Sequence, residues 1–114
     1  MTDILLVCDR EGCIKSVKAN GHASFSPIGV DIVCAAESIV LGTALNILED
    51  TKGCVVNADT TSRGNLAFSV EVLEGFDLSE RLKCTADFIR TACRNLARKY
   101  PENVHLREIT EDLD

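Results

Sequence analysis

Asp31-Ile32-Val33-Cys34-Ala35-Ala36-Glu37-Ser38-Ile39-Val40-Leu41-Gly42-Thr43-Ala44-Leu45-Asn46-Ile47-Leu48 is the stretch on which the rest of the chain must be arranged. Val33, Val40, Ala44, Ile47 and Leu48 recur at helical spacing along one side. Ile39, Leu41 and Leu45 make the other side apolar as well. A helix apolar nearly all round has to be covered on more than one face. In a chain this short a sheet covers one side and a second copy the other, so the pattern predicts a homodimer. The helix is expected over residues 31–50, with Asp31 as its N-cap, Cys34 in its first turn and Gly53 just past its end.

Upstream, Ile4 to Cys8 is a wholly apolar run that reads as a strand buried on both faces. Asp9-Arg10-Glu11-Gly12 is a turn, and Cys13 to Asn20 returns as a hairpin partner whose Lys15, Lys18 and Asn20 mark an exposed face or an edge. This strand delivers Gly21 and His22 to its end. Ala23 to Val30, holding Pro27 and Gly29, lacks periodicity and reads as a loop.

Downstream, Cys54-Val55-Val56 begins a strand, and residues 59–65 form a polar hairpin loop. Leu66 to Leu73 alternates cleanly, with Leu66, Phe68, Val70 and Val72 facing one way. Asp77-Leu78-Ser79-Glu80 has the spacing of a capping box, and Leu82, Ala86, Ile89, Cys93, Leu96 and Tyr100 trace a second helix that Pro101 ends. Val104 to Ile109 adds a last strand. The order is β-β-α-β-β-α-β in one domain over residues 1–114, an α+β fold with a mostly antiparallel sheet and two helices packed on it.

Composition excludes several classes of function. The formal net charge of −6 disfavours indiscriminate nucleic-acid binding and suits a basic partner. Four Phe, one Tyr and no Trp leave little for an aromatic base-stacking platform. The amino terminus lacks the basic and apolar regions of a secretion signal, and Ile39 to Leu48 is short for a bilayer span, so a cytoplasmic, membrane-free protein is expected. Cys8, Cys13, Cys34, Cys54, Cys84 and Cys93 contain no C-x-x-C pair and there are only two histidines, so neither a disulfide framework nor a metal site is expected.

Two residues carry the chemistry. A thiol in the first turn of a helix feels the positive end of the backbone dipole, which favours the thiolate. Cys34 is thus a candidate nucleophile, against the plainer reading of a buried core cysteine. His22, twelve positions earlier, is a candidate base, because imidazole can take a thiol proton and return it to a leaving amine. Asp31 can cap the helix or orient His22, and Ser38, one turn after Cys34, can support the site or fill space; both alternatives stand. Glu37 reads as solvated or salt-bridged, and His105 as pointing to solvent. Arg90, Arg94 and Arg98 line one helix face; a solvated face is the preferred reading, with contact to RNA or an acidic partner as the rival.

Taken together, Gly21-His22-Ala23 and Gly29-x-Asp31-x-Val33-Cys34-Ala35-Ala36-x-Ser38 resemble the ribosomal-processing cysteine protease (Prp) family. The resemblance extends over the chain in length and element order. It implies a small homodimeric α+β protease of the bacterial cytoplasm, needing no cofactor. Such enzymes remove the N-terminal extension of large-subunit ribosomal protein twenty-seven, cutting after an aromatic-containing motif. Carried over by position, Cys34 is the nucleophile and His22 the base. The resemblance also implies a mobile substrate loop flanked by Gly21 and Gly29, to which Phe25 and Ile28 bring apolar side chains where a small, polar loop is expected. The rival classes are a non-catalytic ribosome-associated binding module and a thiol redox sensor.

Overall fold

The structure, a computed structural model, describes residues 2–21, 27–59 and 65–111, without the side chains of residues 27–31. Its elements run β1 (Thr2–Cys8), β2 (Ile14–Asn20), α1 (Pro27–Glu49), β3 (Cys54–Asp59), β4 (Leu66–Val72), α2 (Ser79–Lys99) and β5 (Val104–Thr110). This is the β-β-α-β-β-α-β order read from the sequence.

The five strands form one sheet in the order β3-β4-β2-β1-β5. All neighbours are antiparallel except β1 and β5, which run parallel with Thr2 opposite Val104 and Cys8 opposite Thr110. Side chains alternate across a strand. On β1, Thr2, Ile4, Leu6 and Cys8 are therefore buried together, and the register sets Ala19 and Val17 of β2 beside Ile4 and Leu6. Both helices lie on that face and close one core over it, with Phe68 and Val70 from β4 and Leu82, Ala86, Ile89 and Cys93 from α2. Leu5 and Val7 point to the open face and stay half-buried, so β1 is covered on one side rather than two. Strand β2 is interior, hydrogen-bonded to both β1 and β4, and its Lys18 and Asn20 mark the open face rather than an edge.

Local chemistry explains the joints. Asp9 Oδ1 accepts the backbone N–H groups of Glu11 (2.9 Å) and Cys13 (3.0 Å), which shapes the β1–β2 turn. After α1, Gly53 adopts φ +88°, and the Phe76 ring packs so closely that a Cβ there would collide with it. Glycine is required at that crossing on both counts. The capping box does not form: α2 begins at Ser79, Leu78 occupies the cap position, and no side chain caps it. Asp77 instead accepts from the Ser79 backbone N–H (3.0 Å) and Oγ (2.7 Å), a local turn that competes with the cap geometry.

Helix α1 starts at Pro27, one turn before the expected Asp31. Proline favours the first helical position because its φ is preset and its missing N–H would have had no partner there. Its core-facing stripe is Val33, Leu41, Ala44, Leu45 and Leu48, while Ile32, Ile39 and Ile47 are exposed. Leu41 and Leu45 thus belong to the inner side and Ile47 to the outer. Having apolar residues on both sides, Ile32–Glu49 is long and apolar enough to cross a bilayer by length and composition. A core helix passes the same test, and here the stripe packs into the domain core.

Candidate active site

Cys34 lies in the third turn of α1, half-buried at the rim of the core-facing stripe. Its neighbour one turn on, Ser38, is exposed. Both belong to one continuous helix, so their spacing is set by the backbone rather than by a loop. Gly21 ends β2 with φ +104°, a left-handed turn that suits glycine and redirects the chain just before His22.

The longer helix changes two expectations. Asp31 lies in the second turn of α1 and is not the N-cap. Cys34 is no longer in the first turn, so the dipole argument lapses, because that effect fades beyond the first turn. Its N–H also falls inside the helical ladder and is not an orphan donor for an oxyanion. Of the loop expected over residues 23–30, Pro27 to Val30, including Ile28 and Gly29, are helical instead. The Ser26-Pro27 pair carried the signal for this start. His22 and Phe25 lie outside the described residues, as do the side chains of Ile28 and Asp31.

The thiols differ in environment. Burial pushes those of Cys8, Cys13 and Cys54 up, and that of Cys93 up to about 12 with help from the nearby Glu37 carboxylate. All four are held as neutral thiols, poor nucleophiles. Cys84 is exposed on α2. The cysteines of the described residues are free, with no disulfide among them.

Glu37 is the residue that sequence reasoning misjudged. It points inward between Val33 and Leu41 on the core stripe, where burial pushes its carboxyl up to about 7, although the Thr2 hydroxyl favours the ionised form. The signal was present: position 37 falls on the apolar side of the helical wheel, one turn from Val33 and from Leu41.

The arginine row is largely committed within the molecule. Arg90 pairs with Glu108 of β5 and with Asp87 (2.7 Å), and its guanidinium reaches Cys8 Sγ at 3.7 Å. Arg94 also meets Glu108, at 2.8 Å, and Arg98 donates to Asn95 at 2.6 Å. These bonds tie α2 to the outermost strand and leave Arg90 and Arg94 poorly placed to seek an RNA phosphate. His105 is exposed, as expected.

Among solved structures, SMU.848 from Streptococcus mutans is 26% identical and superimposes with a TM-score of 0.76, covering 97% of this chain and 96% of that one. The essential ribosomal processing protease Prp from S. aureus, in complex with a substrate peptide, is 19% identical with a TM-score of 0.76, covering 95% and 99%. The same protease with a covalently linked product peptide is 23% identical with a TM-score of 0.70 and the same coverage. At those identities the S. aureus structures show the shared fold. No curated protein matches. The family described as cysteine protease Prp matches residues 1–105, a span that holds β1 to β4 and both helices. The chain belongs to the cysteine protease Prp family.

Proposed function

We propose that this chain is a cytoplasmic cysteine endopeptidase that removes the N-terminal extension of large-subunit ribosomal protein twenty-seven, with Cys34 as nucleophile and His22 as base. The observation that carries the assignment is the match of the cysteine protease Prp family over residues 1–105, a span that holds both Cys34 and His22. Cys8, Cys13 and Cys93 are buried, whereas Cys34 is half-buried on α1, seven residues after the helix begins at Pro27. The S. aureus relative was solved with substrate and product peptides, which supports a peptide substrate here.

In this reading His22 takes the Cys34 proton and the thiolate attacks the scissile carbonyl. As the C–N bond breaks, His22 returns the proton to the leaving amine, and a thioester remains. Water then adds to the thioester, releasing the carboxylate product and restoring the thiol. Each step needs only the dyad and water, without a cofactor. The net charge of −6 favours a basic ribosomal-protein tail as substrate. The outward Ile32, Ile39 and Ile47 supply an apolar face for a second copy, so the working unit is a homodimer. The rival, a ribosome-bound module using the arginine row, loses support because Glu108 occupies Arg90 and Arg94.

The test is digestion of the host's full-length ribosomal protein twenty-seven by wild type, Cys34→Ala and His22→Ala. A single N-terminal cut by wild type, lost in both folded variants, is the expected result. Cleavage by Cys34→Ala overturns the assignment of the nucleophile, and an intact extended protein with wild type overturns the substrate.

A further inference from the structure

The cleft at the entry to α2 takes no part in the chemistry above. The β1–β2 turn, the end of β4 and the first turn of α2 wall it, and it encloses about 340 Å³. Ile14, Val70 and Leu82 form a buried apolar floor, and Val72 and Phe76, 41% and 40% exposed, carry that surface out to solvent. Leu73, exposed beside them in sequence, widens the patch. Scattered apolar side chains on a surface are ordinary, whereas several gathered at the mouth of a cleft mark a place where a partner binds. The rim is acidic. Asp9 and Asp77 line the cleft, against Lys15 as the single cation among its lining residues. Glu11 brings a carboxylate oxygen within 4.8 Å of one on Asp9. Among the described residues none of these three carboxylates forms a salt bridge, and Lys83, next along α2, is paired with Glu80 at 4.0 Å. Two of the three are held in place: Asp9 by the N–H groups of Glu11 and Cys13, and Asp77 by the N–H and hydroxyl of Ser79. A cation arriving there meets charges already positioned, with little side-chain freedom left to lose.

We propose that this cleft is a docking site for a basic segment of the substrate protein, away from the bond that is cut: an apolar side chain fills the floor, and a neighbouring lysine or arginine meets Asp9, Glu11 and Asp77. The proposal rests on the reading that the substrate is a basic ribosomal protein. Charge complementarity selects that occupant, because an acidic rim around an apolar floor repels acidic partners and rewards a peptide that alternates the two kinds of side chain. The distance to the nucleophile sets where that segment lies in the substrate. Phe76 lines the cleft and packs on Gly53, just past the end of α1, whereas Cys34 belongs to the first half of that helix. From Cys34 to Glu49 the helix rises about 22 Å. An extended peptide covers about 3.3 Å per residue, so the docked segment lies at least about seven residues from the scissile bond. A contact so far from the reacting carbonyl is made equally in the bound complex and in the transition state. It therefore lowers KM and leaves kcat alone.

The test compares two substrates, the host's full-length ribosomal protein twenty-seven and a short peptide of it reaching about five residues either side of the cut, too short to span the distance. Each is cleaved by wild type and by the double variant Asp9→Asn, Asp77→Asn. Asparagine keeps the oxygen that accepts the Glu11, Cys13 and Ser79 N–H groups, so both turns are retained while the charges go. The KM of the full-length protein, relative to that of the short peptide, is expected to rise about fivefold in the variant with kcat unchanged. In wild type the same ratio is expected to climb toward the variant's as salt is raised. An unchanged ratio, or a loss that falls on kcat, overturns the docking site. Val72→Lys, which sets a cation on the apolar wall, serves if the double variant fails to fold and is expected to raise the ratio at least as far. If wild type cuts neither substrate, the protease reading fails, and the cleft is judged by fluorescence anisotropy of a labelled peptide from the basic region of that ribosomal protein. Binding to the wild-type chain that weakens about fivefold in the double variant supports the site, and equal binding to both overturns it.

Discussion

The two helices share one face of the sheet and are finished for different surroundings. Helix α2 buries Leu82, Ala86, Ile89 and Cys93 and turns charged residues outward, several of them in ion pairs at i, i+3 or with β5. Its one inward hydroxyl, Thr85, is satisfied by the Arg81 carbonyl at 2.8 Å. Helix α1 reverses both habits. Its outward side carries Ile32, Ile39 and Ile47, and its inward side carries the partly buried carboxyl of Glu37. One helix has a mainly charged outer face, broken by the exposed Phe88. The other gives up stability on two faces, and it is the one that bears Cys34.

That contrast can be broken in four places. The inner stripes should behave alike. Ile89→Ala in α2 and Leu48→Ala in α1 both remove fully buried side chains and should each cost about 2–5 kcal/mol in urea unfolding. A cost well below that for Leu48 alone would mean α1 is loosely seated along its whole length. Next, Gly53→Ala attacks the crossing between the end of α1 and the entry to α2. The positive φ and the collision with Phe76 together predict a loss of about 2–3 kcal/mol, and a neutral result would mean Phe76 swings aside freely.

The third test concerns how α2 is tied to β5. Partial burial works to raise the Glu108 carboxyl, but hydrogen bonds from Arg90 and Arg94 outweigh it and hold it below the usual range. Its contribution is present above the unfolded carboxylate value and is lost as pH falls through the lowered one. Glu108→Gln should therefore cost about 0.5–1 kcal/mol at pH 7, after allowance for solvent screening, and nothing at pH 2. A deficit that persists in acid would point to packing rather than charge. Fourth, Ile39→Asp should shift the chain from dimer to monomer in sedimentation, yet change the stability of the monomer by only about 0.5 kcal/mol or less. Unaltered assembly would remove the reason for the apolar outer face.

Much of this was legible from residues alone, for reasons that differ by element. The period-two alternation of Leu66 to Val72 and the three-and-four spacing of α2 state their elements and faces directly, and the Gly-His…Asp-x-Val-Cys spacing pointed to the family. The start of α1 was harder to read. Gly29 and the absence of apolar spacing suggested a loop, while Pro27 marked a helix beginning. Glu37 was misread because a charge was taken as evidence of solvent, although its place on the wheel said otherwise. The Asp77 cap failed to a competing local turn that residue types cannot rank. Where Glu108 sits relative to the arginine row depends on β5 joining β1, a contact across the length of the fold that no local pattern encodes.

That pairing has a consequence in time. Thr2 is paired in register with Val104, so β1 stays an open edge until β5, made much later, joins it. Contacts between such distant positions are entropically late and slow to form. Until β5 has joined, α2 lacks the carboxylate that holds Arg90 and Arg94. The tie between α2 and the sheet is therefore completed only when the last strand joins.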